Sequence, residues 1–160
     1  RLGAGLPYTV PRGTYRCVDG RWVAVSTSSD TVAARVLDLL EVGDDPRFTT
    51  FAARAEHRDE LERIMAAWCA VRTRDEVVAA FNEANAAIGP VMDMADIADD
   101  PHYAARQTIT VVDDTPMQNL VARLSATPGV LRWAGRAVDA DGDAIRRDGW
   151  PHTSPDDVPA

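Results

Sequence analysis

Residues 13–25, GTYRCVDGRWVAV, constrain the fold more than any other stretch of this chain. Two runs of β-formers, residues 15–18 and 22–25, flank the pair Asp19-Gly20. An Asp-Gly pair suits the φ > 0 corner of a two-residue hairpin, because glycine has no Cβ to clash and Asp tolerates the left-handed region. The stretch therefore predicts an antiparallel ribbon. Such a ribbon is marginal in water by itself and needs an apolar surface against one face. The helix predicted over residues 58–71 supplies one: Leu61, Ile64, Met65 and Trp68 fall at i, i+3, i+4 and i+7 and form a single stripe.

Other segments carry local start and stop signals. Ser28, Ser29 and Asp30 offer cap oxygens to a helix running to about Glu41, with Val32, Val36, Leu39 and Leu40 on one face and Gly43 past its end. Residues 44–50 read as a loop. Thr73-Arg74-Asp75-Glu76 is a capping box, and the helix it opens turns Val77, Val78, Phe81 and Ala84 inward until Gly89-Pro90 stops it. Val91-Met92 is a short extended piece, followed by a helical turn over residues 94–98. Asp100-Pro101 restarts a brief helix with an Asp cap and proline at its first position. Residues 108–112 are rich in β-branched side chains and predict a strand, residues 120–124 are a candidate partner strand, and residues 125–129 are a turn. From Ala137 onward the Asp-, Gly- and Pro-rich sequence predicts a weakly ordered tail.

A chain of 160 residues suffices for one domain with a tail and a genuine core. Its net charge of −8 argues against a nucleic-acid surface, which gains affinity by releasing counterions from phosphates. All seventeen basic residues are arginine, which removes Schiff-base and phosphate-loop lysine chemistry from consideration. The sequence has no run of 18 apolar residues and no signal-peptide pattern, so a cytoplasmic location is expected. A first residue of Arg rather than Met predicts that the natural start lies elsewhere. Cys17 and Cys69 read as free thiols acting as small apolar fillers.

Candidates for chemistry are few. His57, His102 and His152 have no metal-ligand spacing, and no H-E-x-x-H, C-x-x-C or G-x-S-x-G motif occurs. The neighbours Asp44-Asp45, Asp99-Asp100, Asp113-Asp114 and Asp156-Asp157 read as turn formers and caps. Asp139, Asp141 and Asp143 alternate around Gly142 like a calcium loop, but without the downstream Glu or an incoming helix. Gly3-Ala4-Gly5 has two readings, a flexible lead-in and a mobile lid; without a flanking strand and helix it is not a phosphate loop. The scattered Trp22, Trp68, Trp133 and Trp150 read as core or edge packing. No metal ligand and no catalytic residue is assigned.

Taken in order, the segments resemble the C-terminal half of a family III CoA-transferase, the group holding formyl-CoA transferase, carnitine CoA-transferase and α-methylacyl-CoA racemase. The resemblance runs from Arg1–Gly3 and Pro7–Pro11 through Gly13-x-Tyr15-x-Cys17-x-Asp19-Gly20-Arg21-Trp22-Val23-Ala24-Val25. It continues in Asp45-Pro46-Arg47-Phe48, Arg58-Asp59-Glu60-Leu61, Gly89-Pro90-Val91 and Ala98-x-Asp100-Pro101-His102-Tyr103-x-Ala105-Arg106. It closes at Leu124-Ser125-x-Thr127-Pro128-Gly129. Beyond Gly135 the chain departs: Val138-Asp139-Ala140-Asp141-Gly142-Asp143 stands where the family commonly has a Gly-Glu-His type turn and a helix.

The resemblance implies an α+β fold, a small antiparallel sheet packed with several helices, followed by an irregular C-terminal extension. It implies residues 1–12 as a lead-in linker, 13–112 as a small domain, and 113–160 as an extension returning to a large Rossmann-like domain. That large domain would bind CoA and supply a nucleophilic Asp, and two complete chains would interlock as a homodimer. The reaction implied moves CoA between carboxylic acids through acyl-aspartyl and aspartyl-CoA intermediates, with a CoA thioester as substrate and no covalently bound cofactor. The racemases instead exchange an α-proton between an acid and a base. Gly3 and Gly5 fall where some transferases carry a glycine-rich loop over the intermediate, which implies a lid over acyl-CoA. Since the catalytic groups belong to the preceding domain, the chain alone is expected to be inactive. It is read as the part that walls an acyl-CoA cleft and supports the dimer, without nucleic-acid or membrane partners. The alternatives are part of a racemase and a non-catalytic binding or assembly module of the same fold.

Overall fold

The computed structural model describes residues 3–150. They form two compact units, which divide after Ala95. Both are α+β, with small antiparallel sheets and, among the described residues, seven helices.

In the first unit, β1 (Arg12–Arg16) and β2 (Trp22–Ser26) pair antiparallel with Tyr15 opposite Val23 and Arg16 opposite Trp22. The loop between them has three residues rather than the two expected. Cys17 N–H reaches the carbonyl of Arg21 (2.8 Å), and Gly20 N–H bonds back to Cys17 (3.0 Å) with φ of 79°. This is the three-residue hairpin in which a left-handed glycine closes the turn. Cys17 thus flanks the loop, just past the end of β1, paired with Arg21. Period-2 alternation on β2 buries Val23 and Val25 while Trp22 and Ala24 face outward.

A third strand, β3 (Ile88–Val91), pairs antiparallel with β2, giving the order β1-β2-β3. Gly89-Pro90, expected to be a helix stop, lies inside this strand. Proline is tolerated there because β3 is an edge strand, where one side of the backbone has no ladder to complete. The preceding helix has already ended before Asn85, whose φ of 51° turns the chain so that Ala86 N–H bonds Phe81 C=O (2.9 Å).

The helices follow their caps. Helix α1 (Asp30–Leu39) starts at Ser29, whose side chain accepts from Val32 N–H. It ends with Glu41, not Gly43, in the left-handed region. Its buried face is Ala33, Val36, Leu37 and the following Leu40. Helix α2 (Phe51–Glu56), absent from the sequence reading, is capped by Thr50 and held by the buried Arg54. Helix α3 (Arg58–Ala70) packs on β1 and buries Leu61, Met65 and Cys69, with Ile64 and Trp68 half-buried at the edges. Helix α4 (Arg74–Glu83) carries the predicted capping box, both arms formed, and buries Val77 and Phe81. These side chains and Phe48 make one core with Tyr15, Val23 and Val25. Each fully buried Leu, Phe or Met contributes about 1.5–3 kcal/mol relative to exposure.

The hairpin loop is fastened to the α3–α4 corner. Val18 N–H bonds Arg72 C=O (2.9 Å), and Asp19 accepts from Arg21 N–H (3.1 Å) and Arg74 N–H (3.0 Å). Those amide donors, Arg74's first, hold the Asp19 carboxyl below its ordinary pKa.

Helix α5 (Met94–Asp99) carries the boundary between units. In the second unit, α6 (Pro101–Ala105) begins at Asp100, which accepts from His102 N–H (2.8 Å) and Tyr103 N–H (3.1 Å). Strand β4 (Ile109–Val112) pairs with β5 (Thr115–Gln118), not with residues 120–124, which lie outside any strand. The connection is Asp113-Asp114, both with positive φ (49° and 59°), which makes it a two-residue hairpin turn. Helix α7 (Gly142–Asp148) forms where an irregular tail was expected. Arg146 there ties Asp139 and Asp143 together (3.0 and 2.8 Å), and Arg136 pairs with Asp141. Those carboxylates serve as ion-pair partners in an exposed helix start. His152, Asp156, Asp157 and the rest of 151–160, like Arg1 and Leu2, lie outside the described residues.

Candidate functional site

The glycine-bearing lead-in runs beside the first turns of α3. Gly3 has φ of 59°, and Leu6 bridges to Thr9 before the buried Val10 and Pro11 enter β1. Two anchors fix this path. The Arg58 guanidinium donates both of its terminal nitrogens to the Leu6 carbonyl (2.7 and 2.5 Å), and Thr27 Oγ1 donates to the Pro11 carbonyl (2.8 Å). A fork on one oxygen places the segment in register with the helix, so its position depends on residue 58.

One turn further along α3, Glu62 accepts Arg12 N–H on Oε1 (3.2 Å) and the Tyr15 hydroxyl on Oε2 (2.5 Å). Burial, and then the bond to Glu62, push the Tyr15 phenol well above its ordinary range. Tyr15 is therefore a fixed neutral donor that holds Glu62 in place. Both Glu62 oxygens are engaged by the protein.

These groups frame a cleft of about 380 Å³ walled by Ala4, Gly5, Arg12–Thr14, Arg58, Asp59 and Glu62. An adjoining hollow of about 240 Å³ extends it along β2 to Ala24–Ser26. Arg12 borders both, and its guanidinium makes no hydrogen bond or ion pair among the described residues. The wall offers a fixed backbone segment, a half-buried cation and a locked carboxylate. Neither Cys nor His lines the two hollows among the described residues, and the hydroxyl of their one serine, Ser26, lies against that of Ser28 (3.1 Å).

Of the predicted positions, Gly5 lines the cleft and Gly3 bends the segment just before it. Sequence reasoning did not assign Arg12, Arg58 and Glu62. The available signal was the i, i+4 pair Arg58/Glu62 on the side of α3 that also carries Leu61 and Met65. His57 lies between α2 and α3, and His102 lies on α6. Asp45 is spent on Arg47 (2.6 Å), whose guanidinium holds its carboxyl down to about 2. Cys17 and Cys69 are free and buried, and burial pushes the Cys69 thiol up to about 12. Among the described residues no group of His, Cys, Asp or Glu is arranged to hold a metal, and no helix is long and apolar enough to cross a membrane.

The comparisons agree on one family. The model of CoA-transferase family III matches residues 1–141. A succinyl-CoA–D-citramalate CoA-transferase of Chloroflexus aurantiacus is 37% identical, covering 86% of this chain and 36% of its own length. A succinyl-CoA–L-malate CoA-transferase alpha subunit of Chloroflexus aurantiacus is 31% identical, with 81% and 32% covered. A CAIB/BAIF family protein of Brucella suis superposes with a TM-score of 0.74 at 25% identity, covering 92% of this chain and 40% of that one. The chain thus spans about a third of the length of the curated relatives it matches.

Proposed function

The chain belongs to CoA-transferase family III, and from that premise we propose that it is the small-domain and C-terminal part of an acyl-CoA:carboxylate CoA-transferase. In this reading the cleft over α3 walls the acyl-CoA site, with Gly3 and Gly5 in the segment that covers it and Arg58 setting that segment's position. The nucleophilic Asp belongs to a Rossmann-like region outside the matched third of the relatives. Residues 113–160 return toward that region, and the complete protein is a dimer. A relative described as an alpha subunit supports assembly from more than one chain. The observation that carries the reading is the family match over residues 1–141 by a segment covering about a third of CoA-transferase relatives.

By analogy with those relatives, the donor tested first is succinyl-CoA and the acceptor a hydroxy-dicarboxylate such as citramalate or malate. The assay follows loss of the donor thioester and formation of the new one. It uses the 160-residue chain alone and then mixed with a Rossmann-like family protein that bears the Asp and lacks this region. The expected result is no transfer alone and transfer on mixing, abolished when the added Asp is replaced by Asn. Transfer by the chain alone, or no rescue by any such protein, overturns the proposal. Deuterium uptake at the α-carbon of a 2-methylacyl-CoA without acceptor would assign a racemase instead.

A further inference from the structure

The second unit carries a cleft that the transferase reading leaves unused. It measures about 320 Å³ and is lined by His102, Tyr103, Arg106, Thr108, Asn119, Leu120, Val121 and Arg123. Two arginines and a histidine line it, and none of its eight residues is acidic. In a chain of net charge −8 this is an unusual local balance.

The cleft is assembled by backbone geometry at the end of α6. Gln107 takes φ of 48°, Thr108 N–H bonds Tyr103 C=O (3.0 Å), and this left-handed reversal brings β4 back past the helix. Asn119 then locks the far wall: its N–H bonds Thr108 C=O (2.8 Å) and its side-chain amide bonds Gln107 C=O (3.0 Å). Arg123 donates to the Arg106 carbonyl and, at 3.4 Å, to the Gln107 carbonyl and side chain. The Arg123 cation is thereby held against the backbone of Arg106, with its Nε–H unused among the described residues. The Arg106 guanidinium makes no hydrogen bond or ion pair among the described residues. Two cations are therefore drawn to one helix end with no carboxylate lining the cleft between them. Such an arrangement is complemented by an anion whose several oxygens accept from planar guanidinium forks.

We propose that this cleft binds a phosphate monoester group of a small molecule, with Arg106 and Arg123 as the charged donors and His102 at its rim. A phosphate monoester concentrates about two negative charges and three acceptor oxygens in one group, as phosphorylated side chains do. That matches the clustered donors better than a dicarboxylate, which spreads its charge over two ends. The inference goes beyond the transferase reading and does not depend on it, since its readout is binding rather than turnover.

The test titrates the 160-residue chain at fixed ionic strength with inorganic phosphate, adenosine 3′-monophosphate and succinate. Binding is read from the arginine Nε–H and His102 ring resonances and by calorimetry. Saturable shifts confined to Arg106, Arg123 and His102 are expected with both phosphates. Arg106→Gln should weaken binding about tenfold or more, and its circular dichroism should be unchanged because that guanidinium supports nothing else. Tighter binding of adenosine 3′-monophosphate than of phosphate would identify a nucleotide as the source, and equal binding the free ion. The proposal is overturned by absence of saturable binding, by succinate binding as tightly as phosphate, or by affinity unchanged in Arg106→Gln.

Discussion

Replacing Arg54 by methionine isolates what holds α2 in place. Arg54 is 2% exposed. It donates Nη1 to the carbonyl of Phe48 (3.1 Å) and Nη2 to Asp30 (2.6 Å), while the Asp30 side chain is 75% exposed. Methionine retains most of the apolar stem and removes the donors. The Phe48 carbonyl then lies buried without a partner, at a cost of about 1–3 kcal/mol. The lost ion pair adds no more than about 1 kcal/mol, because water already screens Asp30. Arg54→Met should thus cost roughly 1–4 kcal/mol, and Asp30→Asn less than about 1 kcal/mol, with a double-mutant coupling near the smaller figure. For a unit of this size that lowers the melting temperature by at least about 4 °C. The assay is urea unfolding of the full chain, followed through the methyl resonances of Val23 and Leu61, which report the first core alone. If Asp30→Asn costs as much as Arg54→Met, the energy lies in the ion pair and the buried-carbonyl argument fails. If Arg54→Met costs under about 0.5 kcal/mol, Arg54 does not hold α2 at all.

Two further outcomes follow from particular residues. The raised pKa of Cys69, from 9.0 to about 12, means that the folded state keeps a proton which the unfolded chain releases. Stability is then complete below pH 9 and falls above it by about 1.4 kcal/mol per pH unit for each such group, Tyr15 joining from about pH 10. Urea titrations from pH 8 to 11 should show the decline, shallower in Cys69→Ala, and a flat profile would refute the assigned burial. At the β4–β5 turn, Asp114 holds φ of 59°, a region costly for side chains, so Asp114→Gly should stabilise that hairpin by about 0.5–1 kcal/mol. Slower amide exchange across residues 109–118 would register it; unchanged or faster exchange would count against the turn assignment.

What was legible in the sequence was what a few neighbouring residues decide among themselves. The Thr73/Glu76 capping box, the Ser29 cap and Asp100 before Pro101 formed as read, because each joins groups two or three residues apart. The errors lie where a distant partner decides. Gly89-Pro90 argued locally for a stop, yet pairing with β2 makes it an edge strand. Asp19-Gly20 correctly marked a left-handed corner, but loop length depends on where the strands register, and Cys17 bonding Arg21 sets it at three. Helix α2 lacks a stripe because one buried arginine, reaching Phe48 and Asp30, substitutes for it.

The candidate site shows the same division with a sharper lesson. Gly3 and Gly5 stood out as glycines, but what fixes their segment is Arg58, fifty-two positions from Leu6, while Glu62, forty-seven from Tyr15, holds β1 beside it. On the helix these two form an ordinary i, i+4 pair, usually a solvated surface feature worth a few tenths of a kcal/mol. What distinguishes them is the side they share with Leu61 and Met65, which are wholly buried. A helix that turns that stripe onto β1 must bring Arg58 and Glu62 to the margin of the contact. There they meet whatever backbone runs alongside the strand. A charged pair bordering an apolar stripe is therefore a stronger pointer to a built site than the glycines it positions, provided the strand beneath the stripe is known.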